Sequence, residues 1–255
     1  ILPQLTFPVY FLYPKETKSK DIIFYCHGHG NGVKDCLGLK ENKDSYHKFL
    51  PLELVKRGFT VVTFEFVGFG EMEYLSTSSE TERGCIANNN ILSLFGLNLV
   101  GLRVFQCMKL IEYIKLNYDF KKILSIGISG GGLVASYLSS LDNNVDSVGV
   151  LCFANTFKNS IMSMHHCVCN YIPDILEVGE AYEIISLSVP KPILISGGLK
   201  DKIFPIDTTR KAFEMIKKVY KNFNSENLVK EDFFEGGHEV HLDGVLNWLD
   251  IVKSN

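Results

Sequence analysis

The tightest constraint on how this chain can fold is a five-residue turn, Gly127-Ile128-Ser129-Gly130-Gly131. An apolar run, Lys122 to Ile126, precedes it and reads as a buried strand, and Leu133 to Leu141 follows and reads as a helix. A serine between glycines where a strand turns into a helix is a nucleophile elbow. The turn is sharp, so side chains at the flanking positions would collide with the strand or the helix. Its strained backbone lifts the Ser129 hydroxyl above the sheet and aims the Gly130 amide at the place where an oxyanion would form. The motif alone arises often by chance, and Ser129 could simply cap the helix. The strand before it and the helix after it favour the elbow.

The rest of the chain extends the same pattern. Apolar runs that read as strands are Val9 to Tyr13, Ile22 to Cys26, Thr60 to Phe66, Ile123 to Ile128, Ser147 to Phe153, Pro192 to Ser196 and Leu228 to Phe234. They are continuous in Val, Ile, Leu and Phe rather than alternating, as strands covered on both faces are. Between them lie helical patterns at Tyr46 to Arg57, Leu99 to Leu116, Gly131 to Leu141, Asp207 to Tyr220 and Glu239 to Val252. Asp207 and Thr208, just after Pro205, read as helix caps. Strand–helix alternation of this kind predicts an α/β fold with a doubly wound, mostly parallel sheet. Nothing resembles a repeat or a linker, and 255 residues suffice for one such domain, 1–255. One segment breaks the alternation: residues 156–189, which hold His165, His166, Cys167 and Cys169, are expected to form a lid-like insertion after the sixth strand.

Charge and cysteine usage exclude several classes. With 26 basic and 29 acidic residues, a formal charge of −3 gives no nucleic-acid footprint. Seven cysteines, an odd number, several within apolar runs, read as free buried thiols in a reducing cytoplasm rather than a disulfide framework. The longest apolar stretch, Ile91 to Phe105, is broken by Ser93, Asn98 and Arg103 and is too short and polar to span a bilayer. Ile1 to Tyr13 lacks the basic start and small-residue cleavage site of a secretory signal, and a chain opening on Ile rather than Met leaves room for an upstream segment.

A serine hydroxyl is a weak nucleophile; it needs a base, and the base needs an orienting carboxylate. After Ser129 the chain supplies Asp201, just past the strand ending at Ser196, and then His238, in Glu235-Gly236-Gly237-His238 past the strand ending at Phe234. All three fall at the carboxyl ends of expected strands, where the site of an open α/β sheet belongs. Asp207 is the competing acid, but it reads as the cap of the next helix. The plain alternative for His238 is a surface histidine beside a turn; Gly236-Gly237 gives that loop the freedom to present it.

A second oxyanion donor is expected from the loop His27-Gly28-His29-Gly30-Asn31-Gly32, after the strand ending at Cys26, with the His29 amide as the candidate. A dinucleotide reading of this loop is weak, because the spacing is G-x-G-x-G and no helix is expected directly after it. His165-His166-Cys167-Val168-Cys169 could suggest a metal, but zinc sites normally draw on two separated ligand pairs and no second pair is evident, so no metal and no cofactor are expected.

These motifs resemble the α/β-hydrolase superfamily over nearly the whole chain, and most of all its branch of dienelactone hydrolase-like and acetyl xylan esterase-like proteins. The resemblance rests on His27 to Gly30, Gly68-Phe69-Gly70-Glu71, Asn98 to Arg103, Gly127 to Gly132, Cys169-Asn170-Tyr171-Ile172-Pro173, Pro190-Lys191-Pro192, Asp201 to Pro205 and Gly236 to His238. It implies a catalytic triad of Ser129, Asp201 and His238 and an oxyanion hole from the amides of His29 and Gly130. Dienelactone hydrolases proper use a cysteine nucleophile; serine here implies simple ester hydrolysis. Acetyl esterases of the branch commonly carry Gly-Tyr where this chain has Gly28-His29, which keeps the amide but changes the side chain lining the pocket. The expected activity is that of a cofactor-free serine carboxylesterase or acetyl esterase acting on a small ester, an acylated sugar among the candidates. The alternatives are a serine peptidase of the prolyl oligopeptidase type and a non-catalytic binding protein on the same scaffold.

Overall fold

Apolar runs become strands when both faces find cover, and here they do. The computed structural model describes residues 5–39, 45–73 and 83–253. In chain order the elements are β1 (Val9–Leu12), β2 (Ile22–Cys26), α1 (Val33–Cys36), α2 (Leu50–Lys56), β3 (Thr60–Phe64), α3 (Arg83–Ser93), α4 (Leu99–Asn117) and β4 (Ile123–Ile128). Then follow α5 (Gly130–Leu141), β5 (Ser147–Leu151), α6 (Ile175–Val178), α7 (Ala181–Ser186), β6 (Ile193–Gly198), α8 (Ile206–Asn222), β7 (Val229–Phe234) and α9 (Leu242–Lys253). The sheet order is β1-β3-β2-β4-β5-β6-β7. Edge strand β1 runs antiparallel to β3, and every other pairing is parallel.

Successive side chains of a strand serve opposite faces. Ile22, Phe24 and Cys26 of β2 pack into the layer holding α3, α4, α5, α7 and α8. Ile23 and Tyr25 pack into the opposite layer with α1, α2 and α9. Each fully buried Val, Leu, Ile or Phe is worth roughly 1.5–3 kcal/mol, so the long helices are held by these layers, whereas the one-turn α1 and α6 depend on their loops.

The topology also locates the crevice. From β2 the chain moves outward to β3 on one side, while β4 lies on the other, with Cys26 paired to Gly127. The loop after β2 and the turn after β4 therefore sit side by side at a switch in winding direction, where open α/β sheets bind their ligands.

Several expectations are corrected. A helix does begin directly after the glycine-rich loop: α1 starts at Val33, though it lasts a single turn. The helix expected from Tyr46 starts only at Leu50, because Lys48 and Phe49 adopt left-handed φ of 47° and 52°. The helix expected from Glu239 starts at Leu242. Neither Asp207 nor Thr208 caps α8; Pro205 holds the cap position without a side-chain bond, and the Thr208 hydroxyl serves the Thr156 amide at 2.8 Å instead. Residues 156–189 follow β5, the fifth strand in chain order, and not a sixth. Helix α3 was not anticipated: its Asn88-Asn89-Asn90 run is poor in helix propensity. Among the described residues no helix is long and apolar enough to cross a membrane.

Candidate active site

Ser129 stands between β4 and α5 with φ 57° and ψ −125°, a conformation that L residues rarely adopt. Its amide donates to the Leu151 carbonyl at 2.9 Å and its carbonyl accepts from Leu133 at 3.0 Å. Those two bonds hold the strain in place. The side chain makes no capping bond, so the hydroxyl is not spent on the helix. The neighbouring glycines are required: a Cβ on Gly127 would drive into the Gly131 carbonyl, and one on Gly131 into that of Cys26.

Asp201 and His238 come from the loops after β6 and β7. The strands pair from Ile193↔Val229 to Gly198↔Phe234. Beyond them Leu199 donates to the Phe234 carbonyl at 2.9 Å and Lys200 to that of Gly236 at 2.8 Å, carrying the ladder into the loops. His238 Nδ1 lies 2.8 Å from Asp201 Oδ2. Asp201 Oδ1 accepts from the amides of Ile203 (2.8 Å) and Phe204 (3.0 Å). Burial alone would push the Asp201 carboxyl up, but the bond and charge of His238, with the two amides, outweigh it and hold the carboxyl below its ordinary range. A carboxylate at this nitrogen favours the proton on Nδ1 and leaves the lone pair on Nε2. The imidazole is sandwiched between Tyr46, 5.6 Å away, and Phe204, 5.7 Å away, both nearly parallel to it.

Phe204 joins the two groups. With Ile203 it lines a cavity of about 190 Å³ that also holds Ser129 and His29. The remaining wall is the insertion, through His165, His166, Cys167 and Asn170. His166 accepts or donates toward Ser160 Oγ at 3.3 Å, and burial pushes its imidazole below the usual range.

His29 occupies the loop after β2. Its carbonyl accepts a 2.6 Å bond from the Tyr46 hydroxyl. Its ring packs edge-on against Phe69 at 5.2 Å, with Nε2 3.2 Å from Cys169 Sγ. The opposite ring nitrogen faces the elbow, where a Cβ on Gly130 would lie 2.6 Å from Nδ1. The sequence shows no second ligand pair for the His165–Cys169 stretch, yet in the structure its two cysteines meet two further donor atoms. Cys167, Cys169, His29 and Cys85 bring one donor atom each to within 4.8 Å of one another. The missing pair was not a pair in sequence: one member comes from the β2–α1 loop and the other from α3. Tyr46 and Phe204 also escaped sequence reasoning, since an aromatic residue in a loop carries no signal of which ring it will stack on.

The fold is that of the α/β hydrolases, and the comparisons bear on it from two directions. A Bacillus subtilis (strain 168) protein named as a candidate hydrolase, YtaP, is 26% identical over 222 residues, covering 84% of this chain and 71% of that protein. Among solved structures, a candidate acetyl xylan esterase from Bacteroides fragilis NCTC 9343 superposes with a TM-score of 0.68 at 18% identity. That match covers 91% of this chain but 64% of the esterase, which is therefore considerably longer. Est1E from Butyrivibrio proteoclasticus, solved with ferulic acid bound, matches with a TM-score of 0.62 at 15% identity, covering 97% of this chain and 94% of Est1E. No family model matches the sequence.

Proposed function

We propose that this protein is a serine hydrolase that cleaves a small carboxylic ester through an acyl-enzyme. The observation that supports this most is the strained Ser129, its hydroxyl free of the helix, in the same cavity as Phe204, the ring on which the Asp201-bound His238 stacks. In the proposed mechanism His238 Nε2 takes the Ser129 proton as Oγ attacks the ester carbonyl. Asp201 fixes the imidazole tautomer and stabilises the imidazolium. The amides of Gly130 and His29 hold the tetrahedral oxyanion, each such donor being worth ~3 kcal/mol. His238 returns the proton to the leaving alcohol, and water releases the acyl group by the same steps in reverse.

The cavity of about 190 Å³ is smaller than the roughly 300–1,000 Å³ of drug-sized pockets, which favours a short acyl group. Its imidazoles and the Asn170 amide favour a polar alcohol such as a sugar. The acetyl xylan and ferulic acid names among the structural neighbours agree with that preference. We read residues 1–255 as one domain, with 156–189 as a cap over the site. All seven cysteines are free and buried, which supports action in a reducing, cytoplasmic compartment.

The test is the Ser129→Ala variant assayed with p-nitrophenyl acetate, an acetylated sugar and a peptide substrate side by side. Turnover of both esters is expected to vanish while the circular dichroism spectrum is unchanged. Undiminished ester turnover, or a peptide preferred over both esters in the parent protein, would sink the reading.

A further inference from the structure

The mechanism uses the His29 backbone but not its imidazole, and it leaves three buried thiols unexplained. The donor atoms are His29 Nε2 and the sulfurs of Cys85, Cys167 and Cys169, all within 4.8 Å of one another. His29 Nε2 is 3.2 Å from Cys169 Sγ, and the sulfurs of Cys167 and Cys169 are 3.5 Å apart. A tetrahedral zinc, with Zn–S near 2.3 Å and Zn–N near 2.0–2.1 Å, spaces its sulfurs about 3.8 Å apart and sulfur from nitrogen about 3.6 Å. The two shortest separations lie within a few tenths of an ångström of those spacings, and with every donor atom within 4.8 Å of the others the remaining ones close by side-chain movements of at most about 1 Å.

A second observation points the same way. Arg103 is 2% exposed. Its guanidinium donates twice to the Val67 carbonyl, at 3.0 and 2.9 Å, and once to Cys85 Sγ at 3.1 Å. It also lies over the Phe69 ring at 4.6 Å. Among the described residues no carboxylate pairs with it. A buried cation without a counter-charge is strongly unfavourable. Thiols packed merely as small apolar groups would not supply one, whereas three thiolates around a dication leave one negative charge, which Arg103 matches.

We infer that His29, Cys85, Cys167 and Cys169 form a structural zinc site of the Cys₃His type. Four protein ligands close the coordination shell, so the ion is a staple and takes no part in the chemistry. It ties three segments that the sheet does not connect: the β2–α1 loop, α3 and the insertion. Arg103 acts from outside the ligand shell by donating to a coordinating sulfur, as partners in that position commonly do. The site stands whether or not Ser129 is the nucleophile.

The test is metal content. The full chain, purified without a metal-affinity tag, is expected to hold one zinc per molecule by plasma mass spectrometry and to retain it through gel filtration. Cys85→Ser and Cys169→Ser are each expected to lower occupancy at least tenfold, whereas Cys107→Ser, a buried thiol of α4 outside the cluster, leaves it unchanged. Because a ligand variant can fail to fold, the parent protein carries a second measurement. Stripped with chelator and loaded with Co²⁺, it is expected to show a thiolate-to-cobalt charge-transfer band that one equivalent of Zn²⁺ abolishes. Metal-free protein that gives no such band overturns the proposal. So does one zinc per chain in the triple variant Cys85→Ser/Cys167→Ser/Cys169→Ser, or alkylation of these thiols at the same rate with and without Zn²⁺.

Discussion

The two halves of the candidate site are built in opposite ways. The proposed acid–base half, Asp201 and His238, stands on two loops that continue the parallel ladder of β6 and β7, and backbone bonds set its 2.8 Å contact. In the cavity half, strand pairing sets only the His29 loop beside the elbow, and the rest is assembled by packing: His29 meets Cys169 across 140 residues of sequence, and Cys85 arrives from α3. Sheet register thus fixes the first half, and side-chain packing fixes the second. The first should tolerate changes outside its loops, while the second should feel any change that moves His29 or the insertion.

The largest effect should come from within the first half. Asp201→Asn keeps the shape but reverses the hydrogen-bonding demand on Nδ1, so His238 adopts the wrong tautomer. The kcat for an ester is expected to fall by roughly 10⁴-fold, with KM nearly unchanged and zinc content untouched. A loss below tenfold in steady-state assays would show that the two loops do not act as a base and its orienter.

Next comes Gly130→Ala, which probes the join between halves from the cavity side. The added Cβ would lie 2.6 Å from His29 Nδ1. That ring is held between Phe69 and Cys169, so the elbow amide must move instead. Losing one well-aimed oxyanion donor costs roughly 10²–10³-fold in kcat. If kcat holds while the metal is lost, the ring yields rather than the backbone, and the cavity half is softer than its packing suggests.

The same contrast explains what could be read from the sequence. The place of each proposed triad residue was legible because strands announce themselves as apolar runs, and a residue at a strand end inherits a predictable location. Ser129, Asp201 and His238 all follow that rule. Thr156 and Thr208 show where it stops: Thr208 reads as a helix cap, yet its hydroxyl turns to the Thr156 amide, a contact set by how the insertion docks. Cys85 is further out of reach. It sits in a helix whose asparagines hide the helical period, and nothing in its neighbourhood hints at Cys167 or His29. Side chains that meet through packing leave no spacing to count.

A smaller effect tests the turn that both halves share, Ser45 to Phe49. His47 is buried there, with Nδ1 2.8 Å from the Tyr25 hydroxyl. Burial first, and the nearby His27 and His238 second, push its imidazole down to about 3. The folded state therefore refuses a proton that the unfolded chain accepts near the ordinary histidine value of about 6.5. With the folded value depressed, the stability His47 contributes is complete above that unfolded value. It is lost, at roughly 1.4 kcal/mol per pH unit, as pH falls from about 6.5 toward the folded value of about 3. Denaturant midpoints at pH 7 and pH 5 should differ accordingly in the parent protein, and His47→Gln should remove about 2 kcal/mol of that difference. An equal slope in both proteins would mean that His47 titrates normally and the turn is open to water.

The smallest predicted effect separates the halves most finely. Tyr46 touches both: its hydroxyl holds the His29 carbonyl at 2.6 Å, and its ring stacks on His238 at 5.6 Å. Tyr46→Phe removes the first contact and keeps the second. A neutral hydrogen bond contributes about 0.5–1.5 kcal/mol, and His29 has other restraints in Phe69 and Cys169. The kcat is therefore expected to fall no more than about tenfold, through a looser oxyanion loop, while the pH–rate profile keeps its shape because the base half is untouched. A profile whose acid limb moves would place the Tyr46 hydroxyl in the environment of His238, and the division between a ladder-built half and a packing-built half would then run through Tyr46 rather than beside it.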